Sequence, residues 1–205
     1  DDVESRGLGD VYKRQLQEPP RVQKKSKTAV LSNVLHPEQT DRHDLRITDD
    51  ALGVGTPGER YQNNIAAIRL LKQLDNEERL ATPEEQEILS RYVGWGGLAD
   101  CFEQTNRNYL ELKSLLTPEE YEAARESTLT AFYTPPVVIR SMYQALEQMG
   151  FETGNVLEPS CGTGNFLGMM PESMAGSKLY GIELDEISGR IAQQLYQTAS
   201  DTIQG

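Results

Sequence analysis

The stretch LEPSCGTGNF (residues 157–166) constrains this chain more than any other. Gly162 and Gly164 flank one threonine, and the run before them, NVLEP (155–159), is short, apolar and suited to a buried strand. Downstream, KLYGIEL (178–184) reads as a second strand. DEISGRIAQQLYQ (185–197) then places Ile187, Ile191 and Leu195 at helical spacing. Strand, glycine loop, helix, strand and helix is the opening of a parallel sheet, since parallel neighbours need a crossover and that crossover is usually a helix. The expected fold class is therefore α/β. In such sheets ligands sit beyond the C-terminal ends of the strands, where glycines let them touch backbone.

The dinucleotide fingerprint G-x-G-x-x-G is not met, because position 167 is leucine and Gly168 falls one residue late. The pattern present is E-x-x-x-G-x-G from Glu158 to Gly164, with Glu183 near the end of the second strand. It resembles the motif of S-adenosylmethionine-dependent methyltransferases, and EPSCGTGNF is similar to the version found in N6-adenine DNA methyltransferases. That class carries a Y-T-P motif and a helix upstream of the glycine loop, and FYTPPVVIRSM (132–142) matches it. The resemblance implies the start of a Rossmann-like methyltransferase sheet with S-adenosylmethionine as cofactor. Its implied binding residues are Tyr133, Thr134, Pro135, Glu158, Pro159, Gly162, Gly164, Phe166, Glu183 and Leu184.

The residue types suit that chemistry. A strand-end carboxylate such as Glu183 can accept charge-assisted hydrogen bonds from both ribose hydroxyls. The cofactor carries a sulfonium and an ammonium but no phosphate, so the acidic Glu158 is tolerated beside it. By resemblance, Tyr133, Thr134 and Pro135 contact the methionine part and Leu184 lies beside the adenine. Each residue also has a structural alternative. Glu183 could complement the dipole of the following helix, Glu158 could pair with a turn amide, and Thr134 could cap its helix. Cys161 reads as a small packing residue.

Upstream, TPGE (56–59), TPEE (82–85) and TPEE (117–120) each offer a threonine N-cap, a proline at the first helical position and a glutamate to return to the cap amide. Helices are expected from each: one with Tyr61, Ile65, Ile68, Leu71 and Leu74 on one face, one over 83–92 and one over 118–125, with a further helix over 109–116. RYVGWGGLAD (91–100) reads as a helix C-cap with Trp95 as an aromatic plug, or as a cover over a ligand pocket. Residues 1–40 lack apolar periodicity and read as a disordered leader. Within it SRGLGDVYKRQ resembles translated sequencing-adapter read-through, which sets residues 1–15 aside. The expected organisation is leader, helical region over 41–129, and a truncated cofactor domain over 130–205.

Over about residues 45–205 the chain also resembles the N-terminal part of large methylase and helicase fusion proteins of bacterial conjugative and plasmid-like elements. Two cysteines and two histidines, far apart, cannot assemble a zinc cluster on spacing. No run approaches the roughly 18 apolar residues of a membrane span, and no signal leader is visible. A bacterial cytoplasmic protein, meeting neither membrane nor metal, is the expectation. The net charge of −12 repels phosphate backbones, so DNA contact is expected through parts of the parent beyond this chain. The Asn- or Asp-Pro-Pro-aromatic motif that presents a flipped adenine is missing, which marks an inactive fragment on its own. The alternatives are a methyltransferase for RNA, protein or small molecules, and a non-catalytic interaction module.

Overall fold

The computed structural model describes residues 42–204, so the expectations for the leader lie outside the described residues. Four helices come first: α1 (Pro57–Glu77), α2 (Pro83–Leu89), α3 (Tyr109–Leu115) and α4 (Pro118–Ser127). All three expected capping boxes form. Thr56, Thr82 and Thr117 accept from the amides of Glu59, Glu85 and Glu120, whose carboxylates accept in return from the cap amides at 2.7, 2.9 and 2.9 Å. The expected apolar face of α1 is buried throughout. Helix α2 ends at Leu89 with Ser90 as its cap, so the glycines of 94–97 do not terminate it. The plug part of that expectation holds, since Trp95 is buried and edge-on to Tyr61 and Phe102 at 6.4 and 5.4 Å.

Residues 129–134, extended in sequence character, form no strand. Helix α5 (Pro136–Gln148) follows, with Pro135 and not Thr134 at the N-cap, and no side chain bonded there. Proline's fixed φ starts the helix without one. Gly150 then leaves it at a φ of +81°. Strand β1 (Asn155–Glu158), short helix α6 (Asn165–Gly168), β2 (Lys178–Ile182), helix α7 (Glu186–Leu195) and β3 (Ile203–Gln204) complete the order. The sheet is parallel, in the order β1-β2-β3, with Val156 opposite Leu179 and Gly181 opposite Ile203. The third strand was not expected; two residues are too few to carry an alternation signal.

The main core crosses from the helices into the sheet region, joining Ile65, Ile68 and Leu71 to Ile187, Ile191 and Ile203 in one cluster. Polar clasps tie the same contact. Gln86 Nε2 donates to the carbonyl of Gln194 at 2.9 Å, and Gln194 Oε1 accepts from the amide of Ala81 at 2.8 Å. Arg190 pairs with Asp75 and reaches Glu120 at 3.5 Å, which also holds Lys72 at 2.6 Å. On the sheet's α5 side, Ile139, Tyr143, Met170 and Met174 form a second cluster against Val156 and Leu179. The other residues of the alternation, Leu157, Tyr180 and Ile182, are exposed, Leu157 at 58%.

Candidate functional site

The glycine loop leaves β1 after Glu158 and is pinned to β2 by the Cys161 amide, which donates to the Ile182 carbonyl at 3.0 Å. Gly162 and Gly164 adopt φ of +55° and +83°, a region side chains rarely enter. The two serve different neighbours. A Cβ on Gly162 would stand 2.1 Å from Cε1 of Tyr133, whereas one on Gly164 would stand 2.4 Å from the ring of Tyr196. On the third glycine, Gly168, a Cβ would stand 2.4 Å from the Tyr196 hydroxyl and 2.8 Å from Ile47. Its position is thus set by packing of the strap at residues 45–47, whose Ile47 amide donates to the Gly168 carbonyl at 2.9 Å. Cys161 is buried against Gly181, where a Cβ would meet its Sγ at 3.0 Å, and burial pushes its thiol up to about 12. That is a packing environment, and an unreactive one.

At the end of β2, Glu183 turns back onto the loop. Its Oε2 accepts from the Gly162 amide at 2.7 Å and its Oε1 from the Asp185 amide at 2.9 Å. The helix-start role weighed for Glu183 belongs instead to Asp185, which caps α7 by accepting from the Ser188 amide at 2.9 Å and from the Ser188 hydroxyl. Burial raises the Asp185 carboxyl above its ordinary value, against these bonds. Ser188 Oγ lies 3.0 Å from the Tyr133 hydroxyl. Since the serine proton points to Asp185, Tyr133 is the donor, and a chain of hydroxyls runs from the Y-T-P motif to the α7 cap. Burial pushes the Tyr133 phenol well up.

Between this corner, the turn at 92–94 and residues 123–133 lies a cavity of about 500 Å³, within the usual range for small-molecule sites. Tyr133, Gly162, Glu183 and Leu184 line it, together with Phe132, Asp185 and Ser188, which sequence reasoning did not select. The D-x-x-S spacing of an N-cap was the available signal for the last two. Leu184 (97% exposed) and Phe132 (67% exposed) are its large apolar members, beside Ala123 and Ala131. Its acids are Glu126, Glu183 and Asp185, and among the described residues no lysine, arginine or histidine lines it.

The remaining expected residues sit elsewhere. Gly164 packs on Tyr196, and Phe166 packs against Tyr143, whose hydroxyl donates to the Phe166 carbonyl at 2.7 Å. Thr134, Pro135 and Pro159 flank the cavity in sequence but are not among its lining residues. Glu158 points from β1 to the α5 side, accepts no hydrogen bond among the described residues, and is pushed up to about 7 by burial. Among the described residues no cluster of three potential metal ligands occurs, and no helix is long and apolar enough to cross a membrane.

No family model and no solved structure matches the chain. It is 28% identical over 137 residues to defense against restriction protein B of Escherichia phage P1, a match over 67% of this chain and 5% of that protein. It is 34% identical over 62 residues to the type II methyltransferase M.CvrRI of Paramecium bursaria Chlorella virus XZ-6E, over 30% of this chain and 16% of that enzyme. The chain thus spans a small part of the length of each curated relative it matches. Part of it is weakly similar to a methyltransferase, a partial link to that activity.

Proposed function

We propose that this chain is the methyl-donor-binding part of an S-adenosylmethionine-dependent DNA adenine N6-methyltransferase, with a helical region over 41–129 ahead of a Rossmann-like cofactor domain over 130–205. The observation that carries the reading is the acidic, hydroxyl-bearing cavity at the strand ends, which no basic side chain of the described residues lines. A pyrophosphate would be repelled by Glu183 and Asp185, whereas a sulfonium and an ammonium are attracted. The donor set fits further. Each Glu183 oxygen accepts one amide hydrogen, and a carboxylate oxygen has a second acceptor position, which leaves two for ribose hydroxyls. Leu184 offers an apolar surface for the base, and Tyr133 and Gly162 form the wall on the loop side.

When bound, the cofactor supplies an electrophilic methyl group. The residues of this chain fix and orient the donor, and Phe132 and Leu184 reduce water at the mouth. DNA and the target adenine are engaged by other parts of the parent, since the Pro-Pro-aromatic motif does not occur in these 205 residues. The part-length similarity to a type II methyltransferase supports the reading.

Calorimetry tests it. S-adenosylmethionine and S-adenosylhomocysteine should saturate the chain, NAD should not, and Glu183→Ala should weaken binding by about 1.5–3 kcal/mol, the range for a hydrogen bond to a charged group. Saturation by NAD with no response to S-adenosylhomocysteine would overturn the proposal.

A further inference from the structure

The donor-binding reading makes no use of the turn RYVGWGG (91–97), yet Tyr92 and Gly94 line the same cavity. Tyr92 is 1% exposed, and its hydroxyl is buried beside Trp95 and Ser188, away from the open space of the cavity. The turn is clamped from behind by α1. Asn64, fully buried, donates from Nδ2 to the Gly94 carbonyl at 2.7 Å and accepts at Oδ1 from the Val93 amide at 2.9 Å. Arg60 donates to the Gly96 carbonyl at 2.6 Å.

The front of the turn meets the Y-T-P motif. A Cβ on Gly96 would stand 2.1 Å from the Ala131 carbonyl oxygen. One on Gly94, at a φ of +65°, would stand 3.3 Å from Tyr133 Cε2. Gly162 would collide with the same ring at Cε1. The Tyr133 ring is therefore held between glycines of two distant motifs, with its hydroxyl tied to Ser188.

We propose that this turn is a ligand-binding element: it sets the plane of Tyr133 in the cavity wall, so that affinity for the methyl donor depends on residues 94–96. The inference rests on the donor-site reading of the cavity, and deepens it by making the helical region part of the site.

A double-mutant cycle in the 205-residue chain provides the test, with S-adenosylmethionine affinity read by calorimetry for wild type, Gly94→Ala, Tyr133→Ala and the double variant. The strain of alanine at positive φ is present in both backgrounds and cancels, while the push of its Cβ on the ring, at 3.3 Å, exists only where the ring does. Gly94→Ala should weaken binding about tenfold in the wild-type background and less than about twofold beside Tyr133→Ala. Equal losses in both backgrounds overturn the role of the turn but leave the donor site standing; no binding by wild type removes the donor site itself. Should the Gly94 variants fail to fold by circular dichroism, Arg60→Ala decides. It removes the clamp on the Gly96 carbonyl without touching the cavity lining, and should weaken binding about threefold or more where Tyr133 is present and little beside Tyr133→Ala. Unchanged affinity in that variant counts against the proposal.

Discussion

The helices of residues 57–127 and the sheet of residues 155–204 reach order by opposite routes. Three of the four helices of the first region announce their own start, with threonine, proline and glutamate satisfying the free amides of the first turn from within four residues. The strands are four, five and two residues long, and α6 has only Gly164 at its N-cap, with no side-chain bond. Their order comes from partners far away in sequence: Tyr196 on Gly164, Tyr133 on Gly162, and α7 on α1. A locally specified layer thus serves as the template on which a weakly specified sheet is held.

Four measurements sharpen or break this comparison. The largest effect is expected for Ile68→Ala, a fully buried side chain of α1 in the core shared with α7. It should cost about 3 kcal/mol in denaturant unfolding. Helix and sheet signals should still be lost together, and two separate transitions would show that the template does not control the sheet. Next, Thr82→Ala removes one capping box and should cost about 1 kcal/mol by the same assay. A loss near zero would mean that tertiary packing, and not the local cap, holds α2.

A similar magnitude with the opposite sign belongs to Glu158 of the sheet. Its folded pKa is raised to about 7 from an ordinary 4.5. The folded state therefore holds the proton more tightly than the unfolded one, and stability falls as pH climbs from about 4.5 to 7. Glu158→Gln should stabilise the protein at pH 8 by about 1 kcal/mol, a figure kept below the full shift because the carboxyl retains some solvent. At pH 4 it should change little. Thermal melts at the two pH values check this, and equal effects at both would remove the buried-carboxyl account. The smallest effect is expected for Leu157→Ala on the open face of the sheet: within about 0.5 kcal/mol, against several for a buried leucine. A large loss would mean that this face is covered in solution.

Legibility from sequence divides along the same line. Thr56, Thr82, Thr117 and the α1 face were readable because their partners lie three or four residues away. Glu183, Gly162 and Leu184 were readable as a group because strand ends and tight loops carry compositional marks, and they share one cavity. Gly168 looked like a misplaced fingerprint glycine, since nothing local reveals that Tyr196 and Ile47 pack on it. Gln86, Gln194 and Gln197 carry no local mark of burial, yet they are buried and clasp the two regions through backbone carbonyls and amides. Tyr92 escaped selection for the same reason: a tyrosine buried beside the cavity is visible only once its neighbours are in place.

The two cysteines fall one in each region, Cys101 beside Phe102 in the helical layer and Cys161 inside the glycine loop, both buried and both with thiols harder to ionise than usual. Alkylation at either must wait for a local opening that admits reagent and water, so the two labelling rates are separate clocks for the two halves of the molecule. Mass spectrometry of the labelled peptides would read both clocks in one sample. A methyl donor seated against Gly162 would slow the Cys161 clock, and any slowing at Cys101 would measure how far that stabilisation spreads into the helices.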